Sequence, residues 1–154
     1  MSDEPLVQIT IRGANLAIIG GRAFAALIPP PSAATWIVTG AKDGAIQFTD
    51  QASGQVLSVP DTDIGTQAVV APADSGAAAT SWIVTRFSDD EGDDATVITD
   101  PSQLDSGYYT LQEPRTGEFL ARNYIEDRSL LPKRVALQNR DDPSQYELVI
   151  RVVG

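Results

Sequence analysis

The sequence of 154 residues predicts an all-β domain made from three copies of one unit. Three observations lead there. An aromatic-led run of β-branched residues recurs: "ATWIVTGA" (34–41) returns as "TSWIVTRF" (80–87) and, more weakly, as "SQYELVIRVV" (144–153). Upstream of each lie two alternating segments around a polar or Gly-containing turn, "VQITIRGANLAII", "AIQFTDQASGQVLSV" and "YYTLQEPRTGEFLAR", which read as hairpins. Between hairpin and aromatic comes a further apolar strand and a loop: "FAALIPPPSAATW", "AVVAPADSGAAATSW", "RVALQNRDDPSQY". Four strands in each of three units give twelve strands in three pseudo-repeats, each of about forty residues, the pattern of a β-trefoil. One unit alone cannot bury its apolar faces, so three must close on one another. A β-sandwich would not require threefold repetition.

The units fall at about 5–40, 41–87 and 104–154, in a single domain spanning 1–154. In the first, "IIGG" (18–21) lacks the Gly-Lys-Ser/Thr that completes a phosphate loop and reads as a turn. "IPPP" (28–31) reads as a stiff surface loop rather than a docking segment for a polyproline-binding module. Trp36 and Trp82 precede β-branched strands at repeat-locked positions, which marks them, with Tyr146, as core rather than sugar-stacking platforms. In the second unit the alanines of 76–80 follow Gly76 and are too short a run for a stable helix. The spacing from Trp82 to Tyr146 exceeds that from Trp36 to Trp82 by the length of "SDDEGDDATVITDPSQLD" (88–105), a polar insert between the second and third units. Its acidic run, Asp89 to Asp94, has no calcium-loop spacing and reads as a solvated linker.

Composition narrows the chemistry. With Cys 0 and His 0 there is no disulfide, thiol nucleophile or Ser-His-Asp triad, and zinc loses its usual ligands. The expectation is a protein that is not an enzyme and has no metal or other cofactor. The net charge of −10 comes from residues 1–112, with four basic and fourteen acidic groups; residues 113–154 carry seven of each. No basic face exists to displace counterions, so nucleic acid is not an expected partner. No apolar run approaches the roughly 18 residues of a membrane span. The acidic, polar start "MSDEPLVQ" lacks the features of a secretory signal, so a cytoplasmic monomer is the expectation.

The least ordinary stretch is "YIEDRSLLPKRVAL" (124–137). The loop running from about Asn123 to Arg134 is the longest of three matching loops; the others are "GGRA" (20–23) and "PDTDIGTQ" (60–67). Pro132 fixes its own φ, removes an amide donor and holds Leu131 extended. Glu126, Asp127 and Arg128 lie close enough to brace the loop. Two readings stand: a rigid, presented segment that enters a protease, or Leu130 and Leu131 folded back onto the barrel with the charges capping them.

The segment "SGYYTL…GEFLARNYIEDRSLLPKRVAL" (106–137) resembles the opening unit of the mushroom β-trefoil serine-protease inhibitors, the cospin/cnispin-like group. Arg122, Asn123, Glu126, Asp127, Arg128, Ser129, Leu130, Pro132, Lys133 and Val135 match the family's stretch; "FAALI…TWIV" and "GQVLSV" fit its later units loosely. In that family the unit comes first, and here it comes last, so the chain looks circularly permuted, with 88–105 bridging the family's ends. A second departure is Leu131, where the family carries Asn. The resemblance implies a serine-protease inhibitor whose protease-binding loop is Asn123, Arg128, Ser129, Leu130, Leu131, Pro132 and Lys133, braced by Glu126 and Asp127. The partner would be a chymotrypsin-, subtilisin- or trypsin-like serine protease. Leu131 suits an apolar pocket, although Pro132 makes a poor scissile bond; Arg128–Ser129 suits a trypsin-type pocket. The alternatives are a sugar-binding trefoil lectin, although no repeated Gln-x-Trp is found, and a non-inhibitory protein-interaction scaffold.

Overall fold

A computed structural model of the chain describes residues 5–11, 14–26, 33–41, 44–87, 95–122, 133–138 and 148–153. These carry thirteen strands in one continuous sheet. The strands are β1 (Leu6–Ile11), β2 (Ala14–Ile19), β3 (Arg22–Ala26), β4 (Thr35–Gly40), β5 (Ile46–Asp50), β6 (Val56–Ser58) and β7 (Val69–Ala71). They continue with β8 (Ile83–Phe87), β9 (Ala95–Ile98), β10 (Gly107–Gln112), β11 (Phe119–Arg122), β12 (Lys133–Gln138) and β13 (Leu148–Val152). A 3-10 turn, Pro101–Gln103, lies between β9 and β10.

Period-two patterning makes the barrel. Val7, Ile9 and Ile11 of β1 are buried while Leu6, Gln8 and Thr10 are half-exposed, and β5 repeats the pattern with Ile46 and Phe48 inward. Six strands pair antiparallel in a closed ring: β1 with β4, β4 with β5, β8 with β10, β10 with β13, and β13 with β1. The Ile46–Trp82 bridge joins β5 to β8. Closure leaves the ring without a free edge to manage.

Three hairpins cover one end of this ring: β2–β3, β6–β7 and β11–β12. Gly20 and Gly21 both have positive φ, 59° and 80°, which a two-residue hairpin turn of mirror-image type demands and which side chains resist. Each hairpin bonds to the other two. Arg22 pairs with Val69, Lys133 and Arg134 pair with Ala25 and Phe24, and Gln67 bridges to Ala136.

The core lies inside ring and hairpins, led by Trp36, Trp82, Phe48 and Tyr109, each fully buried. Burial of both tryptophans agrees with the repeat reading; Tyr146 lies outside the described residues. The two indoles differ in one respect. Trp82 Nε1 donates to the Leu57 carbonyl at 3.1 Å, while the buried Trp36 Nε1 has no partner among the described residues.

The stretch 88–105 reads in the sequence as a polar insert between the second and third units. Its residues 88–94, with the acidic run, lie outside the described residues, but the remainder is built into the domain. Strand β9 pairs with β8 over four positions, and Ile98 and Leu104 are buried in the core. Asp100 caps the 3-10 turn by accepting from the Ser102 amide at 3.0 Å, while Gln103 Oε1 accepts from the Asp100 amide at 3.1 Å. The Tyr109 hydroxyl then donates to the Asp105 carbonyl at 2.7 Å, fastening the segment to the start of β10. Two apolar anchors and a capping box hold residues 95–105 against the domain.

Candidate functional site

Two turns at the far ends of barrel strands share one frame. The turn after β5 starts at Asp50, and the turn after β10 starts at Glu113. In the first, the Asp50 amide donates to the Gln55 carbonyl and the Gly54 amide to the Asp50 carbonyl, both at 2.8 Å. In the second, Glu113 and Glu118 repeat the first bond at 2.7 Å, and Gly117 and Glu113 repeat the other at 3.0 Å. Gly54 and Gly117 stand at φ 74° and 78° to make this closure. The leading carboxylate holds each turn from within. Asp50 accepts from the Ser53 hydroxyl at 2.9 Å and, more loosely, from the Ala52 amide at 3.4 Å. Glu113 accepts from the Arg115 and Thr116 amides at 2.8 Å each and from the Thr116 hydroxyl at 2.7 Å. Both carboxylates are buried and committed to the turn, so neither is placed to act as a general acid or base.

Each turn faces the segment leading into a core tryptophan, and a cleft opens between them. The first cleft, about 530 Å³, is walled by residues 50–52, residues 33–35 and Ile18. The second, about 300 Å³, is walled by residues 113–115 and 77–81. The Gln51 amide donates to the Thr35 carbonyl at 2.9 Å, tying the two walls of the first together. Alanines 33, 34, 77, 78 and 79 keep both clefts open, since their methyl groups leave room that larger side chains would fill. The polar groups differ. The first offers Thr35 and Gln51; the second offers Thr80, Ser81 and Arg115. Among the described residues no group of three or more His, Cys, Asp or Glu is placed to hold a metal ion.

Of the residues expected in a protease-binding loop, Asn123, Glu126, Asp127, Arg128, Ser129, Leu130, Leu131 and Pro132 lie outside the described residues. Lys133 opens β12, where it and Arg134 pair with Ala25 and Phe24 of β3. The base is held from several sides. Arg122 pairs with Val135 across the hairpin, and the Ala68 amide donates to the Val135 carbonyl at 2.9 Å. At the foot of β11 stands Glu118, buried, with Oε2 unpartnered among the described residues. Burial raises its pKa above the ordinary carboxylate value, and the negative charges of Glu113 and Asp63 add to the rise; the Thr116 hydroxyl opposes it.

Sequence reasoning passed over Asp50, Glu113, Arg115 and Glu118. A signal was present: acid, two residues, hydroxyl, Gly, as Asp50-Ser53-Gly54 and Glu113-Thr116-Gly117, at the same place in two hairpins.

No protein-family model matches the sequence, and no curated protein matches it. Solved structures do. The designed threefold-symmetric protein ThreeFoil superposes with a TM-score of 0.70 at 15% identity, covering 96% of this chain and 99% of its own. The Macrolepiota procera ricin B-like lectin, solved in complex with lactose, gives 0.70 at 15% identity, with 99% of each chain covered. The Polyporus squamosus lectin, bound to a sialylated trisaccharide epitope, gives 0.64 at 12% identity and covers 99% of this chain and 50% of that one. With the closed ring and its hairpin cover, these likenesses show that the chain folds as a β-trefoil.

Proposed function

We propose that the chain is a carbohydrate-binding β-trefoil that takes saccharide in the two clefts. Twelve of its strands then form three four-stranded units, β1–β4, β5–β8 and β10–β13, with β9 an addition. The observation that carries this reading is the repetition of one cleft, with the same turn frame and the same alanine-lined wall, at corresponding places in successive units. Volumes of about 300 and 530 Å³ suit small ligands rather than a protein surface. Methyl-lined walls can take the apolar face of a sugar ring, while Thr35, Gln51, Thr80 and Ser81 offer hydrogen bonds to its hydroxyls. Two weak sites on one body gain apparent affinity for a surface bearing many copies of the ligand. Similar folds solved with lactose and with a sialylated epitope support the same class of ligand.

The test is retention on a glycan array, with each cleft blocked in turn by Ala52→Trp and Ala77→Trp. Saccharide-dependent retention should fall with each block and vanish in the double variant. Retention untouched by both blocks, or absent from the start, would overturn the reading.

A second reading, serine-protease inhibition through residues 123–134 in a circularly permuted member of the inhibitor group, is favoured by one observation. Both arms of that hairpin are anchored, β11 to β12 and β12 to β3, so a loop between them starts from a rigid base. Inhibition constants against trypsin, chymotrypsin and subtilisin decide it. Inhibition without glycan binding would select this reading, with loss on Leu131→Ala or on Arg128→Ala naming the specificity residue.

A further inference from the structure

The two clefts share a frame but not a charge, and this difference selects a ligand. We infer that the cleft beside Arg115 takes an acidic saccharide, one bearing a carboxylate or sulfate, while the cleft beside Gln51 takes a neutral one. The inference rests on the carbohydrate reading above and adds the class of sugar.

Position by position, Asp50-Gln51-Ala52-Ser53 corresponds to Glu113-Pro114-Arg115-Thr116. The leading acids perform the same buried task, and the hydroxyl residues perform the same capping task. What changes at the mouth is Gln51-Ala52 to Pro114-Arg115. Pro114 fixes its own φ and lacks an amide donor, so the tip of this turn is stiffer than its counterpart. The Arg115 amide is held by Glu113 at 2.8 Å, which fixes the backbone from which the exposed guanidinium reaches. Among the described residues the one ion pair joins Arg86 to Asp105, so Arg115 is not engaged by a neighbouring carboxylate side chain. Thr80 and Ser81 line the same cleft. A guanidinium with two hydroxyl residues in one cleft matches the needs of a carboxylate or sulfate, which accepts several hydrogen bonds and pairs with Arg through two parallel ones. In the other cleft the corresponding residue is Ala52, so an anion there would find Thr35 and Gln51 but no cationic side chain among the described lining residues.

The net charge of −10 does not forbid this. At physiological ionic strength, screening acts over about 8 Å, so the groups in the cleft outweigh charges on distant faces. The cleft of about 300 Å³ has room for a terminal residue of a glycan rather than a long chain.

The experiment uses sugar pairs that differ at one carbon: glucuronate against glucose, galacturonate against galactose, with glucose 6-sulfate as the sulfate arm and inorganic sulfate alone as the anion control. Binding is followed by amide chemical-shift changes, which report each cleft separately. The acidic members should shift Thr80, Ser81 and Arg115 with an affinity about tenfold above that of their neutral partners. The advantage should shrink as salt is raised. Arg115→Gln should bring the acidic sugars down to the affinity of the neutral ones, while neutral-sugar shifts at Thr35 and Gln51 persist. Equal binding of acidic and neutral sugars at the Arg115 cleft, with both clefts occupied, would overturn the inference and leave the carbohydrate reading intact. Inorganic sulfate binding as tightly as glucose 6-sulfate would also overturn it, since the site would then recognise a bare anion. Absence of any shift in either cleft with any sugar would overturn the carbohydrate reading itself.

Discussion

The Asp50 turn and the Glu113 turn reach the same backbone path with different side chains. Only three positions are common to them in kind: a buried acid at the start, a hydroxyl three residues on and a left-handed glycine after it. Everything between is free to change, and Gln51-Ala52 against Pro114-Arg115 shows how far it has changed. A turn whose shape is fixed from inside can carry different recognition groups outside without repacking the core. The acids are therefore the shared support, and the residues beside them the variable part.

The largest test of that view is to remove the support. Glu113→Ala removes a fully buried carboxylate that accepts from three close donors, at 2.7 to 2.8 Å. A loss of about 3 kcal/mol is expected by urea unfolding. Asp50→Ala removes one close and one long bond, 2.9 and 3.4 Å, and should cost about 1–2 kcal/mol. Equal losses would mean that the two acids are not graded by their hydrogen bonds.

A smaller difference should separate the glycines. A Cβ on Gly54 meets nothing within 4 Å, so Gly54→Ala carries the backbone strain alone, about 1 kcal/mol. On Gly117 the Cβ would lie 3.3 Å from Gln112 Nε2, which already donates to the Gly117 carbonyl at 3.0 Å. Gly117→Ala should therefore cost more, about 1–2 kcal/mol, with unfolding midpoints as the measure.

The smallest effect is a pH dependence. Glu118 in one turn stands where Gln55 stands in the other, each accepting the amide of the leading acid through its backbone carbonyl. Burial first, then Glu113 and Asp63, raises the Glu118 pKa, so the folded protein holds this proton more tightly than the unfolded chain. Its stabilising contribution is complete below the ordinary glutamate pKa and is lost as pH rises through the elevated folded value. Glu118→Gln, which copies the Asp50 turn, should raise the melting temperature at pH 7. The gain should fade below pH 4.5, the ordinary value. An unchanged melting temperature at pH 7 would mean that water reaches the unpartnered oxygen freely.

Much of the architecture was legible because it rests on repetition. The hairpins announced themselves by alternation around short turns, and Trp36 and Trp82 by their shared place before β-branched strands. The segment 95–105 was not, because its strand has four residues, too few for alternation to register, and its two core anchors, Ile98 and Leu104, are set among polar neighbours. The clefts were invisible for a different reason. Their walls come from segments far apart in the chain, 33–35 with 50–52 and 77–81 with 113–115, and the small residues that leave the space carry no signal as a motif. The loop stood out through charge and Pro132, yet only its closing residues, Lys133 and Arg134, fall within the described structure, and both are strand.

The pairing of β1 with β13 governs when this molecule can exist. It joins Val7 to Val152, and a side-chain bond from Arg151 to Gln8 spans 143 positions at 2.6 Å. The ring cannot close until its latest strand has been made and has travelled back to its earliest. Until then β1 is without its neighbour on that side, and its inward Val7, Ile9 and Ile11 wait on a strand far along the chain. Non-local pairing of this kind places folding on a scale of about milliseconds to seconds. A chain shortened by the five residues of β13 loses a ring member rather than a tail, and the unprotected interval becomes permanent.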